Sequence, residues 1–193
     1  MKIISNRQIT DAAMELIIEK GYSNMTTKDI AVRANVNETT LFRRFGSKKE
    51  IILRALSEGF WLPVLNTKIF ADADWDLRSD LERFMLEYIK KITPDMVKMS
   101  IGLRSPQIYE DTAPYIMKVP ESFINALQSY FEIMKQKGKI TEGEPKVLAQ
   151  TIFSSIFGFV FLQASFGNML SLPKQEKYVK ESIKIFVNIN IRF

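Results

Sequence analysis

A chain of 193 residues with 46% apolar and 11% aromatic side chains has enough apolar surface to bury a substantial core, which excludes a disordered protein. It contains neither cysteine nor histidine. Disulfides, thiolate chemistry, a Ser-His-Asp triad and the commonest metal ligand are therefore excluded, and a reducing cytoplasmic setting is expected. The net charge of +5 is a modest basic balance whose distribution says more than its sum, and without a phosphate-cradling glycine loop or a catalytic constellation the chain is expected not to be an enzyme and to need no cofactor or metal.

Helical spacing recurs along the chain and no strand-type alternation is sustained, so the fold class is all-α. A first helix over about 4–20 buries Ile9, Ala12, Ala13, Leu16 and Ile17, keeps Asp11, Glu15 and Glu19 outside, and stops at Gly21. The opening stretch lacks the apolar run of a signal peptide. A second helix over 27–34, capped by Thr26 or Thr27, turns Ile30, Ala31 and Ala34 inward. The chain must then turn sharply. Asn35 stands where a left-handed residue is needed, Val36 plugs the corner, and Asn37 suits the cap of a third helix, 38–45, which Gly46 ends. Ser47 to Glu50 forms a capping box for a fourth helix, running through Ile52, Leu56 and Phe60 toward Pro63. Two short helices joined by a tight turn and braced by a third make a helix-turn-helix unit.

Prolines punctuate the remainder. The acidic cluster DADWD (72–76) reads as a turn in which Asp76 caps a helix carrying Leu77, Leu81, Phe84, Met85, Tyr88 and Ile92. Thr93-Pro94 and Ser105-Pro106 each read as a cap followed by proline in the first helical position. Pro114 and Pro120 are expected to break the next segment, leaving a helix over 120–137 that ends at Gly138. Two long helices follow, about 145–170 and 174–190. The uncharged stretch 147–173 is long enough to span a bilayer, but Gln150, Gln163, Asn168 and several serines interrupt it, so burial within protein is expected and no stable membrane span.

On a helical wheel for 38–45, Leu41 and Phe45 share the inner face. Thr39 and Arg43 fall opposite, flanked by Thr40 and Phe42, with Glu38 and Arg44 at the edges. Arginine can fork onto guanine, and threonine can meet a base edge, a thymine methyl or a phosphate. Lys48 and Lys49 open the next helix, where free backbone N–H groups also suit a phosphate. Between 33 and 49, Arg33, Arg43, Arg44, Lys48 and Lys49 face Glu38 alone, and Lys28 adds a cation from the helix before. These features make double-stranded DNA the expected partner.

Ala12-Ala13, Leu16, Gly21, Thr26-Thr27, Ile30-Ala31, Ala34, Val36, Thr40-Leu41-Phe42, Phe45 and Ser47-Lys48 together resemble the DNA-binding head of the TetR/AcrR family of transcriptional regulators. The resemblance covers about residues 9–56. It implies that Thr27, Thr40 and Lys48 hold phosphates while Glu38, Thr39 and Arg43 face bases. Four positions depart from the family: Asn35 and Thr39 stand where glycine, or glycine or proline, is usual; Phe42 lacks the hydroxyl of the common tyrosine; and Arg44, replacing a frequent histidine, could supply the lost phosphate contact. The resemblance further implies a DNA-binding domain over 1–47 and an effector-binding and dimerisation domain over 48–193.

Within that second domain it implies a homodimer formed by the last two helices. Ser154 and Gly158 would permit close approach there, and Phe161, Tyr178, Ile183 and Phe186 would supply apolar contact. An effector pocket is implied among Phe84, Tyr88, Met99, Tyr109, Met117, Phe123, Phe157 and Phe161, a lining that suits a small hydrophobic or aromatic ligand. The functional expectation is a ligand-responsive regulator, a repressor by default, that binds a palindromic operator and is released by effector. Two other readings stay open on sequence: an all-helical carrier of hydrophobic ligands, and a regulator anchored through 147–173.

Overall fold

The computed structural model describes residues 5–59, 61, 62 and 69–190, with side chains through 188. Among the described residues every regular element is helical. They are α1 (Asn6–Asn24), α2 (Thr27–Ala34), α3 (Glu38–Phe45), α4 (Lys48–Ser57), α5 (Leu77–Lys91), α6 (Pro94–Gly102), α7 (Tyr109–Gln136), α8 (Pro145–Phe166) and α9 (Gln175–Asn190), with a 3-10 turn at Gly167–Met169. The chain divides into two compact units. One draws on Met1–Val64 and Asp95–Lys118, the other on Leu65–Pro94 and Val119–Phe193. This packing division follows a different line from the boundary expected at residue 47.

In the first unit, Ser5 caps α1 by accepting from the Gln8 N–H at 3.2 Å. Ile9, Ala12, Ala13, Leu16 and Ile17 are buried as the spacing requires, with Met14 beside them. Gly21 interrupts the helix at φ 74, ψ 166, and a short turn completes it. The expected start at residue 4 lies outside the described residues. Thr26 caps α2 within a full capping box, its side chain accepting from the Asp29 N–H while Asp29 accepts from the Thr26 N–H. Asn35 is left-handed at φ 54, ψ 51, and Gly46, at φ 78, ends α3.

Several local expectations change. Asn37 occupies the cap position of α3, but its side chain makes no cap bond; the Thr40 N–H instead donates to the Asn37 carbonyl at 2.8 Å. Ser47 does cap α4, accepting from Glu50 N–H. That helix stops at Ser57, because Gly59 takes φ 73 two residues on; Phe60 and Pro63 lie outside the described residues. The Ser105-Pro106 pair does not open a helix. Ser105 uses its hydroxyl on Ser23 at 2.8 Å and its carbonyl on the N–H groups of Ile108 and Tyr109, so α7 begins only at Tyr109. Pro114 and Pro120 do not break α7, which runs unbroken for 28 residues. Each proline removes a single i→i−4 bond. The burial of Phe123, Leu127, Tyr130, Phe131 and Met134 along the same helix offsets those losses.

The first unit closes around one core, to which α6 and the turn after it contribute Met99, Leu103 and Ile108. Here α6 lies against α1 so closely that a Cβ built on Gly102 would stand 2.7 Å from the Ile17 carbonyl oxygen. In the second unit, Asp76 caps α5 as expected, accepting from Ser79 N–H at 2.8 Å. The helix buries Leu77, Leu81, Phe84, Met85 and Tyr88. Asp80 is also fully buried, and its carboxylate accepts from Tyr130 Oη at 2.9 Å, Arg83 Nη2 at 2.6 Å and the Asp74 N–H at 3.1 Å. A buried carboxylate persists when its acceptors are satisfied in this way.

Gly102→Ala should lower stability by about 1–3 kcal/mol, because the added methyl meets backbone and the helices must separate. Thermal unfolding of the full chain checks this, the expected result being a melting temperature several degrees below wild type.

Candidate nucleic-acid interface

The interface is built from a corner. Asn35 reverses the chain after α2, and the Val36 N–H returns to the Ala31 carbonyl at 2.9 Å. Leu41 is buried, and Phe45 and Val36 pack against the same core. The opposite face of α3 is thereby turned to solvent. Thr39, Phe42, Arg43 and Arg44 are exposed on it, and Glu38 and Thr40 are half-buried. Phe42 is 51% exposed, a large apolar area to leave in water beside two arginines. Arg44 reaches Asn6 Oδ1 at the start of α1 through Nη1 at 3.4 Å. Lys28 is exposed at the start of α2.

Besides Arg44, three of the expected cations are engaged inside the unit. Arg33 forks onto Glu19, with Nη1 to Oε1 at 2.8 Å and Nη2 to Oε2 at 2.7 Å, and also reaches Glu15 at 3.2 Å. These hydrogen bonds hold the Glu19 carboxyl below, and the Arg33 guanidinium above, their ordinary pKa values. Arg33 thus braces α2 against α1. Lys48 donates to the Tyr22 carbonyl at 2.9 Å and the Met25 carbonyl at 2.8 Å, with its ammonium 4.0 Å from the Tyr22 ring centroid. Burial pushes the Lys48 ammonium down and the Tyr22 phenol up. Lys49 pairs with Asp111 of α7 at 2.5 Å, and that hydrogen bond raises its pKa.

Thr27 is also engaged. Its hydroxyl donates to Glu38 Oε1, joining the first residue of α2 to the first residue of α3. Lys20 and both donors of Thr26 bind Asp29 Oδ2, and these bonds hold its carboxyl down at about 2. The partners Asn6, Asp111 and the Tyr22 and Met25 carbonyls had no local signal in the sequence. Asp29 did have one, since a threonine followed three residues later by an acid marks a capping box.

The residues expected to line an effector pocket divide between the units. Met99 belongs to the core of the first, and Tyr109 and Met117 are exposed residues of it. Phe84, Tyr88 and Phe123 form a buried cluster in the second, with Phe123 4.7 Å from Tyr88 in an edge-on arrangement, and Phe153 joins them. Phe153, Phe157 and Phe161 continue as a ladder along α8, with successive centroids 5.8 and 6.0 Å apart.

The residues expected at a dimer interface also divide. Ile183 and Phe186 are 1% and 8% exposed, lying inside their own unit. Tyr178 stacks on Phe159 and donates to the Ser155 carbonyl at 2.9 Å. Ser154 is exposed, and Gly158 and Phe161 are partly so. Val147 on α8 and Ile185 on α9 are also exposed, at 52% and 62%. The segment Pro145–Met169 is long and apolar enough to cross a membrane, with a mean hydropathy of 1.7 in its best window, of which 39% is buried.

A family model described as bacterial regulatory proteins, tetR family, matches residues 9–55. Over 183 residues the chain is 32% identical to the HTH-type transcriptional regulator YvkB of Bacillus subtilis (strain 168), spanning 95% of each chain. It is 25% identical over 190 residues to IcaR of Staphylococcus aureus (strain Newman), the HTH-type negative transcriptional regulator of the biofilm operon icaADBC, spanning 96% of this chain and 98% of that one. Among solved structures, FadR from Bacillus subtilis in complex with stearoyl-CoA superposes with a TM-score of 0.70 at 19% identity, over 95% of this chain and 98% of that one. NalD, the secondary repressor of the MexAB-OprM multidrug efflux pump in Pseudomonas aeruginosa, gives 0.71 at 17%, over 97% and 96%.

Asp29 has a folded-state pKa of about 2 against an ordinary 3.8, so its contribution to stability is complete above about 3.8 and is lost as pH falls through about 2. Asp29→Asn should melt below wild type at neutral pH, and melting curves taken between pH 5 and pH 2 should show the gap closing. Arg33→Ala should lower the melting temperature yet leave the slope of log K against log salt for DNA unchanged, since Arg33 is occupied by Glu15 and Glu19. Loss of a phosphate contact would instead reduce that slope by about 1.

Proposed function

Because this chain belongs to the TetR family of bacterial regulatory proteins and is a DNA-binding regulator of transcription, we propose that it acts in the cytoplasm as a homodimeric repressor. It binds a palindromic operator and is released by a small apolar effector. The observation that carries the DNA contact is the outward face of α3, where Thr39, Phe42, Arg43 and Arg44 stand in solvent over the buried Leu41. An arginine in this position suits the two acceptors of guanine, with discrimination of about 1–3 kcal/mol. Lys28, Thr40 and the first turn of α4 serve the phosphates on either side, and the division of labour falls at residue 47.

Support for a dimer comes from α8 and α9. Val147, Ser154, Phe157, Gly158 and Phe161 recur at helical spacing on α8 and retain exposed surface, and Ile185 does so on α9. A second copy covering this stripe would remove it from water. Two recognition helices about 34–36 Å apart would then meet successive turns of one DNA face. Repression follows the negative regulation named for the Staphylococcus aureus relative. For the effector, the aromatic cluster of Phe84, Tyr88 and Phe123 with the Phe157–Phe161 ladder favours an apolar ligand. The acyl-CoA held by Bacillus subtilis FadR makes acyl thioesters the first class to screen.

Selection from a random duplex library by the purified chain tests this reading. Wild type should enrich an inverted repeat, and Arg43→Ala should lose about 1–3 kcal/mol at one base of each half-site while binding other sequences nearly as before. Uniform retention that vanishes with modest salt would reject sequence reading.

A further inference from the structure

We propose that Glu38 reads cytosine in each half-site, and that Thr27 is the residue that positions it. The inference rests on the operator-binding role of α3 and adds the identity of one base contact. Glu38 is the first residue of α3, where a helix-turn-helix protein brings side chains to base edges. It is also the only acid on that helix, in a face that otherwise offers arginines and hydroxyls. A carboxylate beside DNA phosphates is repelled by them, so it weakens binding to every sequence equally. The tie to Thr27 engages one of its oxygens, and the other suits a contact that needs an acceptor. Among base edges in the major groove, the cytosine N4 amino group is the donor to which a glutamate is suited.

The Thr27 hydroxyl determines where that acceptor points. It donates to Glu38 Oε1, which ties the carboxylate between the starts of α2 and α3, and a carboxylate has a second oxygen with which to accept. A hydroxyl has one proton to donate. While it is given to Glu38, the Thr27 side chain cannot also donate to a phosphate. The phosphate role that the family resemblance implies for this side chain is therefore replaced by a positioning one. Immobilising Glu38 before DNA arrives lowers the ordering cost of the base contact.

The test is the same duplex selection, run at fixed salt with the full chain as wild type, Glu38→Gln, Thr27→Val and Thr27→Ser, each first checked by thermal melting. The wild-type site should hold one cytosine per half-site that Glu38→Gln weakens about tenfold, with adenine gaining, because glutamine matches the adenine edge. Glu38→Gln should also bind non-cognate duplex more tightly through loss of its charge alone, so the base-specific change is read against that uniform gain. Thr27→Val should relax that same base, and Thr27→Ser, which keeps the hydroxyl, should restore it. Should Glu38→Gln fail to fold, the two Thr27 variants carry the comparison. An enriched inverted repeat indifferent to Glu38 and Thr27, or responding at a base other than cytosine, overturns this inference alone. Enrichment of no site by wild type overturns the operator reading with it.

Discussion

A single left-handed residue determines what α3 can show to a partner. Asn35, at φ 54 and ψ 51, reverses the chain between α2 and α3. Its neighbours make the reversal rigid: the Val36 N–H returns to the Ala31 carbonyl, and the Gln8 side chain donates to the Ala34 carbonyl at 3.2 Å. Asparagine reaches this region more readily than other non-glycine residues and leaves the unfolded chain less freedom to lose than glycine would. With the corner set, Leu41 can only turn inward, and Thr39 and Arg43, on the opposite side of the helix, can only turn outward. Recognition chemistry in this protein is thus a consequence of backbone geometry several residues away from it.

The charges of the first unit separate into two sets with different work. Arg33, Lys48 and Lys49 are spent on Glu19, on backbone carbonyls and on Asp111, tying α2 to α1 and α4 to the α1–α2 connection and to α7. Lys28 and Arg43 stand exposed. Net charge, or even local charge density along the sequence, cannot separate these sets, because the partners of the first lie far away in the chain. Arg33 meets Glu15 and Glu19, more than a dozen residues upstream, and Lys49 meets Asp111, about sixty residues downstream.

The same distinction between local and distant partners explains what could be read from sequence. Thr26, Asn35, Gly46, Ser47 and Asp76 act through backbone within a few residues, and their roles were legible. So was the outward face of α3, which needs only the helical period. Ser105 was misread because its hydroxyl is claimed by Ser23, a residue remote in sequence. Pro114 and Pro120 were misread because the local cost of a proline was weighed without the burial of Phe123, Leu127 and Tyr130 further along α7. Ile183 and Phe186 have the spacing of an apolar stripe, and the tertiary structure places that stripe inside its own unit, which spacing alone could not show. Met99, expected to line a pocket, is buried in the core of the first unit: apolar character says that a side chain is buried, not in which core.

Lys48 and Lys49 show how recognition and internal packing draw on one set of groups. Both are on the first turn of α4, where family resemblance and free N–H groups favour a phosphate. Both are nevertheless occupied: Lys48 by the carbonyls that close α1 and the loop before α2, Lys49 by a carboxylate of α7. An ammonium has three donors, so Lys48 can keep its two carbonyls and still offer a proton to a phosphate. Lys49, held by a charge of the same sign as a phosphate, gains only the difference between two anions if it moves. Of the two, Lys48 therefore keeps the freer donor, and its ammonium is held as firmly as the α1–α2 connection it fastens.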